Sequence, residues 1–192
     1  VIGDSVAAGT FLAAIFSTRG AGEVIGINAE HLPMEIKKFK EMGAIIDLKE
    51  DSISIEYDEG INSIELATLP FPGVATDLQP IFGSALLQAE GTSILTENVY
   101  DQIFQRIPEV QRMGANIQTG WQHAMIKGVR NLSGAPVQAT DIRTGASLII
   151  AALQADGISS ISGVDHINRG YENIVDSLSL LGSTIEYTNN YE

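Results

Sequence analysis

Apolar residues fall along this chain in three long blocks, each closed by glycine. The blocks run from Gly9-Thr10 to Thr18-Arg19-Gly20, from Asp77 to Gly91 and from Asp141 to Gly157. Two of them open on the same tripeptide, Ala75-Thr76-Asp77 and Ala139-Thr140-Asp141. Thr or Asp ahead of an apolar-periodic run predicts a helix start, because the side-chain oxygen accepts a hydrogen bond from an unpaired N–H of the first turn. Glycine after the run predicts the stop. Leu12 to Phe16 and Leu148 to Leu153 leave no polar stripe, so these helices must be buried on all sides.

Each block leads into a short β-type run: Val24 to Ile27, Ser93 to Leu95, Ser159 to Ile161. A second, amphipathic helix follows, with apolar positions at helical spacing: Leu32, Ile36 and Phe39; Val110 and Met113; Ile174, Leu178 and Leu181. Pro33 and Pro108 suit first turns, where the missing N–H costs nothing. After the closing glycine the chain returns to strand, as in Ile45 to Leu48 and the alternating run Ser52 to Tyr57. The distance from Gly20 to Gly43 equals that from Gly91 to Gly114, at 23 residues, and Gly157 to Gly182 is 25, so the chain is a repeat. The units cover approximately residues 5–68, 69–137 and 138–192 of a single domain, 1–192. Fully apolar helices with half-wet strands predict an α/β (α+β) fold with helices inside and sheets outside, the reverse of the common α/β barrel.

At 192 residues and 44% hydrophobic, the chain can fill one core. Aromatics are only 6%, so aliphatic side chains must do most of the filling. The net charge of −13 argues against a broad basic surface for nucleic acid, though a few placed Arg suffice for a small anion. Without cysteine there is no disulfide, thiolate metal site or thiol nucleophile on this chain. His31, His123 and His166 lack metal-ligand spacing, and no phosphate-binding Gly-x-x-x-x-Gly-Lys loop or Gly-x-Ser-x-Gly elbow occurs. No apolar run reaches membrane-spanning length, so the expectation is a soluble, cytoplasmic protein without nucleic-acid or membrane partners. An opening Val1 suggests a chain that begins inside a longer protein. Trp121, beside the expected turn Thr119-Gly120, is expected to anchor packing between strands.

Six phrases, in order along nearly the whole chain, carry a family resemblance. They are Ala8-Gly9-Thr10-Phe11, Ala75-Thr76-Asp77-Leu78-Gln79, Val110-Gln111-Arg112-Met113-Gly114-Ala115, Leu132-Ser133-Gly134-Ala135-Pro136-Val137, Ala139-Thr140-Asp141-Ile142-Arg143 and His166-Ile167-Asn168-Arg169-Gly170-Tyr171-Glu172. With these the chain resembles the UDP-N-acetylglucosamine enolpyruvyl transferases (1-carboxyvinyltransferases), in their C-terminal portion. The resemblance implies an inside-out α/β barrel of three βαβαββ-type repeats. It also implies transfer of the enolpyruvyl group of phosphoenolpyruvate to the 3′-hydroxyl of UDP-N-acetylglucosamine, in peptidoglycan precursor synthesis and without a cofactor. In the family a second, N-terminal domain carries a mobile loop with an acidic Cys or Asp, so the resemblance implies that this portion alone is inactive.

Residue by residue, the resemblance implies that Asp77 lies beside the sugar hydroxyl as general base. It places Asp141 and Arg143 on the phosphoenolpyruvate side, Asp141 orienting an Arg143 that binds carboxylate or phosphate two-pronged. Arg169 would meet the phosphate, with His166 orienting its loop. Val99, through its backbone, and Tyr100 would flank the sugar acetamide. Each has a plainer reading: Asp77 as a carboxylate offsetting a helix dipole, Arg143 with Asp141 as a first-turn ion pair, and Arg169 as a solvated loop residue. Gly134, Gly145 and Gly170 suit close backbone approach, with turns or helix packing as the plainer reading.

The chain also departs from the family pattern. Ser5 stands for an Arg and Ala7 for a Glu, Ile103 replaces another Arg, and Asn168 replaces an Asp. Those losses leave open a divergent, noncatalytic paralogue that binds a nucleotide sugar or a partner protein. A different enolpyruvyl transferase, such as enolpyruvylshikimate phosphate synthase, is the nearest alternative enzyme. RNA phosphate cyclases share the architecture, but the acidic balance and the phrases above disfavour them.

Overall fold

The computed structural model describes residues 3–100 and 107–188. Three helices lie buried at its centre and pack pairwise on one another: α1 (Ser5–Ser17), α3 (Gln79–Ala85) and α5 (Ile142–Leu153). Their sequences have no polar stripe, and burial is what such sequences require. Gly9 lets α1 approach the entry to α3, since a Cβ there would sit 2.8 Å from Leu78 Cδ2.

The second helices are shorter: α2 (Pro33–Glu41), α4 (Ile107–Arg112), and in the third unit the pair α6 (Val164–Asn168) and α7 (Ile174–Leu180). Pro33 and Pro108 occupy first turns, as expected. Phe16 of α1, Phe39 of α2 and Phe82 of α3 form an aromatic chain, with ring centroids 6.3 and 4.7 Å apart. All three rings are buried, each contributing about 1.5–3 kcal/mol through the area removed from water.

The strands described form four sheets. In the first, β3 (Ser52–Glu56) pairs antiparallel with both β1 (Ala21–Ile25) and β2 (Ile45–Leu48). In the second, β4 (Glu65–Ala67) runs parallel to β5 (Thr92–Thr96), which pairs antiparallel with β7 (His123–Lys127), followed by β6 (Asn116–Gly120). The third unit holds two short parallel pairs, β8 (Leu132–Ser133) with β10 (Ala155–Asp156) and β9 (Pro136–Gln138) with β11 (Ser160–Ser162). Burial alternates along β7, so one face is wet. The middle unit reads β4-α3-β5-α4-β6-β7.

Several local expectations are corrected. α1 starts at Ser5, a turn ahead of the apolar block, because Asp4 Oδ1 accepts from Val6 N at 2.8 Å and Ala7 N at 3.1 Å. Hydrophobicity dates that helix late, since full burial begins only at Ala8. The block from Asp77 to Gly91 is α-helical for 7 residues only and is entered through a 3-10 turn, Thr76–Leu78. Asp77 sits within that turn and caps nothing. β1 ends at Ile25, where Gly26 turns the chain at φ +85°. Residues 183–188 form no strand. Ile174 and Leu178 are buried as expected, whereas Leu181 is exposed. Trp121 packs between no strands: it stands 97% exposed at the turn from β6 to β7, in the left-handed region at φ 46°.

Candidate active site

Ala139-Thr140-Asp141 ends in extended backbone, and Asp141 caps α5 as its residue type predicts. Its Oδ1 accepts from Arg143 N at 2.9 Å and Thr144 N at 3.0 Å, and its Oδ2 accepts from the Thr144 hydroxyl at 2.7 Å. Partial burial pushes the Asp141 pKa up, but the Thr144 hydroxyl, the two amides and the Arg143 charge together hold it below the usual aspartate value.

Arg143, in the first turn of α5, reaches across to the entry of α3. Its Nη1 donates to Asp77 Oδ1 at 3.2 Å, while its Nε lies 3.7 Å from Asp141 Oδ1. The guanidinium carbon sits 4.6 Å from the centre of the Tyr100 ring, a cation–π distance. Asp77, Tyr100, Asp141 and Arg143 therefore form one cluster, built from the entry to α3, the turn after β5 and the start of α5. The family pattern makes Asp141 the residue that orients Arg143, but the shorter approach to the guanidinium comes from Asp77. The guanidinium is partly exposed and has five donors, most of which have no partner among the described residues and suit a carboxylate or phosphate.

Val99 and Tyr100 are held from below by a residue outside the motifs above. Glu97, 2% exposed, follows β5 directly. Its Oε1 accepts from the Thr68 hydroxyl at 2.6 Å, Val99 N at 2.8 Å and Tyr100 N at 3.0 Å. Thr68 Oγ1 accepts in turn from Asn98 N at 2.9 Å. A carboxylate directly after the β-type run is the signal in the sequence that could have found it. The Val99 N–H is thus occupied.

Arg169 does not join the cluster. It ends α6, and its exposed side chain has no hydrogen bond or ion pair among the described residues. The His166 ring also makes no hydrogen bond among them, so it does not orient this loop through a polar contact. Tyr171 anchors the loop instead: it is buried, and its hydroxyl lies 2.8 Å from Thr10 Oγ1. Burial raises the Tyr171 pKa; the Thr10 bond opposes that, and the charges of Asp4 and Asp77 add to it. Gly170 lies against Ile142, so the Arg169 loop borders the start of α5.

Glu35 of α2 is a further residue not anticipated: 4% exposed, it accepts from Ala75 N at 3.2 Å, just ahead of Asp77. Burial pushes its pKa up. A cavity of about 380 Å³ opens elsewhere, between Met34, Leu66, Leu69, Val74 and Ile94, and none of the cluster residues lines it. Ser5, in an Arg position of the family pattern, is the first residue of α1, and Ile103 lies outside the described residues. Among the described residues no group of His, Asp and Glu is arranged to hold a metal ion, and no helix is long and apolar enough to cross a membrane.

Comparison with known proteins agrees in class. The sequence model of the family described as EPSP synthase (3-phosphoshikimate 1-carboxyvinyltransferase) matches residues 1–178. A UDP-N-acetylglucosamine 1-carboxyvinyltransferase from Thermotoga maritima is 44% identical over 187 residues, spanning 97% of this chain and 44% of that protein. The protein of the same name from Mycolicibacterium paratuberculosis is 41% identical over 186 residues, spanning 97% and 45%. Among solved structures, the enolpyruvyl transferase NikO from Streptomyces tendae superposes with a TM-score of 0.88 at 24% identity, covering 97% of this chain and 44% of that one. EPSP synthase from Acinetobacter baumannii superposes with a TM-score of 0.71 at 19% identity, covering 99% and 44%. At those identities the structural likeness speaks for the fold. The chain spans less than half the length of the curated relatives it matches.

Proposed function

Since the chain belongs to the EPSP synthase (3-phosphoshikimate 1-carboxyvinyltransferase) family, we propose that its full-length parent transfers the enolpyruvyl group of phosphoenolpyruvate to the 3′-hydroxyl of UDP-N-acetylglucosamine. Phosphate is released, and the product feeds peptidoglycan synthesis in the cytoplasm. The names of the relatives at 41–44% identity support the acceptor. The observation that carries the reading is Arg143, held between Asp77 and Asp141 over Tyr100 with its remaining donors unpaired among the described residues.

In this reading Asp77 takes the proton of the sugar hydroxyl as its oxygen bonds to C2 of phosphoenolpyruvate, while a proton is added at C3. The C2–O bond to phosphate then breaks as C3 loses a proton, restoring the double bond. Arg143 binds the carboxylate or phosphate, whose arrival competes with Asp77 for the guanidinium and frees that carboxylate to act as a base. Arg169, unpaired among the described residues, moves in to meet the phosphate. Val99 and Tyr100 flank the acetamide of the acceptor. The acid that protonates C3 belongs to the rest of the parent, as does the segment that completes an inside-out α/β barrel of three units.

Phosphate release by the full-length parent, given phosphoenolpyruvate and UDP-N-acetylglucosamine, tests this directly. Asp77→Ala and Arg169→Ala should each abolish most of it, and a folded wild type that releases none overturns the reading. An arm with shikimate 3-phosphate as acceptor separates the two enzyme classes. Ser5, a short neutral residue beside Asp4 where the family pattern has Arg, favours a second reading, in which the site binds the nucleotide sugar without turnover. Calorimetric binding of UDP-N-acetylglucosamine without phosphate release is its signature.

A further inference from the structure

Glu97 is a buried carboxylate for which the proposed reaction has no chemical task. It makes no ion pair among the described residues, and burying a carboxylate is costly unless donors surround it. All its donors converge on one oxygen. Thr68, the residue after β4, supplies a hydroxyl at 2.6 Å, and the turn supplies two consecutive amides at 2.8 and 3.0 Å. The other oxygen is buried and has no hydrogen-bond partner among the described residues. Such an arrangement serves position: the carboxylate defines the path of residues 97–100 from inside. Further bonds hold the same turn in place. Asn98 Nδ2 donates to Thr68 O at 3.1 Å, and Glu97 N donates to Gln122 O at 2.8 Å.

The same turn delivers the Tyr100 ring to the guanidinium of Arg143, which bonds Asp77. We propose that Glu97 is a positioning residue that sets Arg143 through Tyr100, coupling the acceptor side of the cleft (Val99, Tyr100) to its anion side (Arg143). This rests on the reading of the site given above. Glu97 itself touches neither substrate. Removing its side chain strands one hydroxyl and two amides, so the turn relaxes and the ring leaves the guanidinium. Glutamine keeps an acceptor oxygen at the same place and should largely preserve the turn.

A double-mutant cycle on the full-length parent tests it, reading KM for phosphoenolpyruvate, kcat and the thermal midpoint for Glu97→Ala, Glu97→Gln, Tyr100→Ala and the Glu97→Ala/Tyr100→Ala pair. Glu97→Ala should raise that KM by about tenfold with a smaller change in kcat, the scale of removing one cation–π interaction from a partly desolvated site. Glu97→Gln should stay within about threefold of wild type, and the double variant should match Tyr100→Ala, because Glu97 acts through the ring. Independent, multiplying effects in the double variant overturn the proposal, as does an unchanged KM in Glu97→Ala. If Glu97→Ala does not fold, Thr68→Ala enters the same cycle, since it withdraws the hydroxyl that fixes the carboxylate. Turnover is not the only readout. The NMR shift of the Arg143 Nε–H, displaced by the Tyr100 ring current, should move alike in Tyr100→Ala and Glu97→Ala without substrate. An inactive wild type that shows this common shift sinks the functional reading and spares the positioning one. An active wild type whose Arg143 signal ignores Glu97→Ala does the opposite.

Discussion

The Tyr171 hydroxyl donates to Thr10 Oγ1 at 2.8 Å, joining the last unit of the chain to the first helix across 161 residues. The direction follows from Thr10, whose single hydroxyl hydrogen already goes to Val6 O at 2.8 Å. Tyr171→Phe keeps the ring, the burial and the Thr10–Val6 bond, so it removes only this one hydrogen bond. A loss of about 1 kcal/mol is expected on denaturant unfolding. Thr10→Val should cost more, because it leaves the Tyr171 hydroxyl buried without an acceptor. Equal stability of wild type and Tyr171→Phe would mean that the bond does not hold the Arg169 loop in solution.

Asp141 makes stability depend on acid. Its folded pKa lies below the ordinary value of 3.8, so the contribution is present above the unfolded value and is lost as pH falls through the folded one. Asp141→Ala should therefore cost about 0.5–1 kcal/mol at pH 7, the lower part of the N-cap range because the side chain is substantially solvated. Below pH 3.8 the gap between the thermal midpoints of wild type and variant should narrow. A gap that stays constant to pH 3 would show that the carboxylate charge takes no part in the cap.

Glu35 carries the opposite sign. Burial raises its pKa, with its own amide and that of Ala75 restraining the shift. The folded state then holds the proton more tightly than the unfolded one, so stability is full below the ordinary value of 4.5 and declines as pH rises through the folded pKa. Glu35→Gln keeps an acceptor for Ala75 N and removes the buried charge. It should stabilise the protein at pH 7 by on the order of 1 kcal/mol, with the advantage vanishing below pH 4.5. Thermal melts of both proteins across pH 4 to 8 decide it, and a destabilised Glu35→Gln at pH 7 contradicts the sign.

The buried helices were legible because burial dictates composition: Leu12 to Phe16 and Leu148 to Ala151 admit no polar residue. Asp141 was legible as a cap for the same local reason, since a cap needs only its own first turn. Asp77 was not, although its tripeptide is identical. Whether an Asp caps a helix or stands inside a 3-10 turn depends on what holds the preceding backbone, and here that is Glu35, forty positions away. The Thr68–Glu97 bond and the Asp77–Arg143 contact were invisible for the same cause: each joins residues distant in sequence, and no local pattern records the pairing. Trp121 departs from expectation for a simpler reason. A large apolar residue beside a turn suggests a need for cover, and the left-handed corner at the end of β6 points it into solvent instead.

Arg143 separates charge from geometry at the centre of the cluster. Arg143→Lys retains a cation in reach of Asp77 but loses the planar fork and the stacking on Tyr100. The ion pair it disturbs is partly exposed, and such pairs contribute about 0–1 kcal/mol, so the thermal midpoint should move little. Recognition of a carboxylate or phosphate should suffer far more, because a two-pronged, charge-assisted contact becomes a single point contact. A loss of about 2 kcal/mol corresponds to roughly a thirtyfold rise in KM for phosphoenolpyruvate in the full-length parent. The KM for UDP-N-acetylglucosamine should change much less, since Val99 and Asp77 keep their places. If Arg143→Lys alters the acceptor KM and leaves the phosphoenolpyruvate KM intact, Arg143 serves the sugar and its assignment to the anion is wrong.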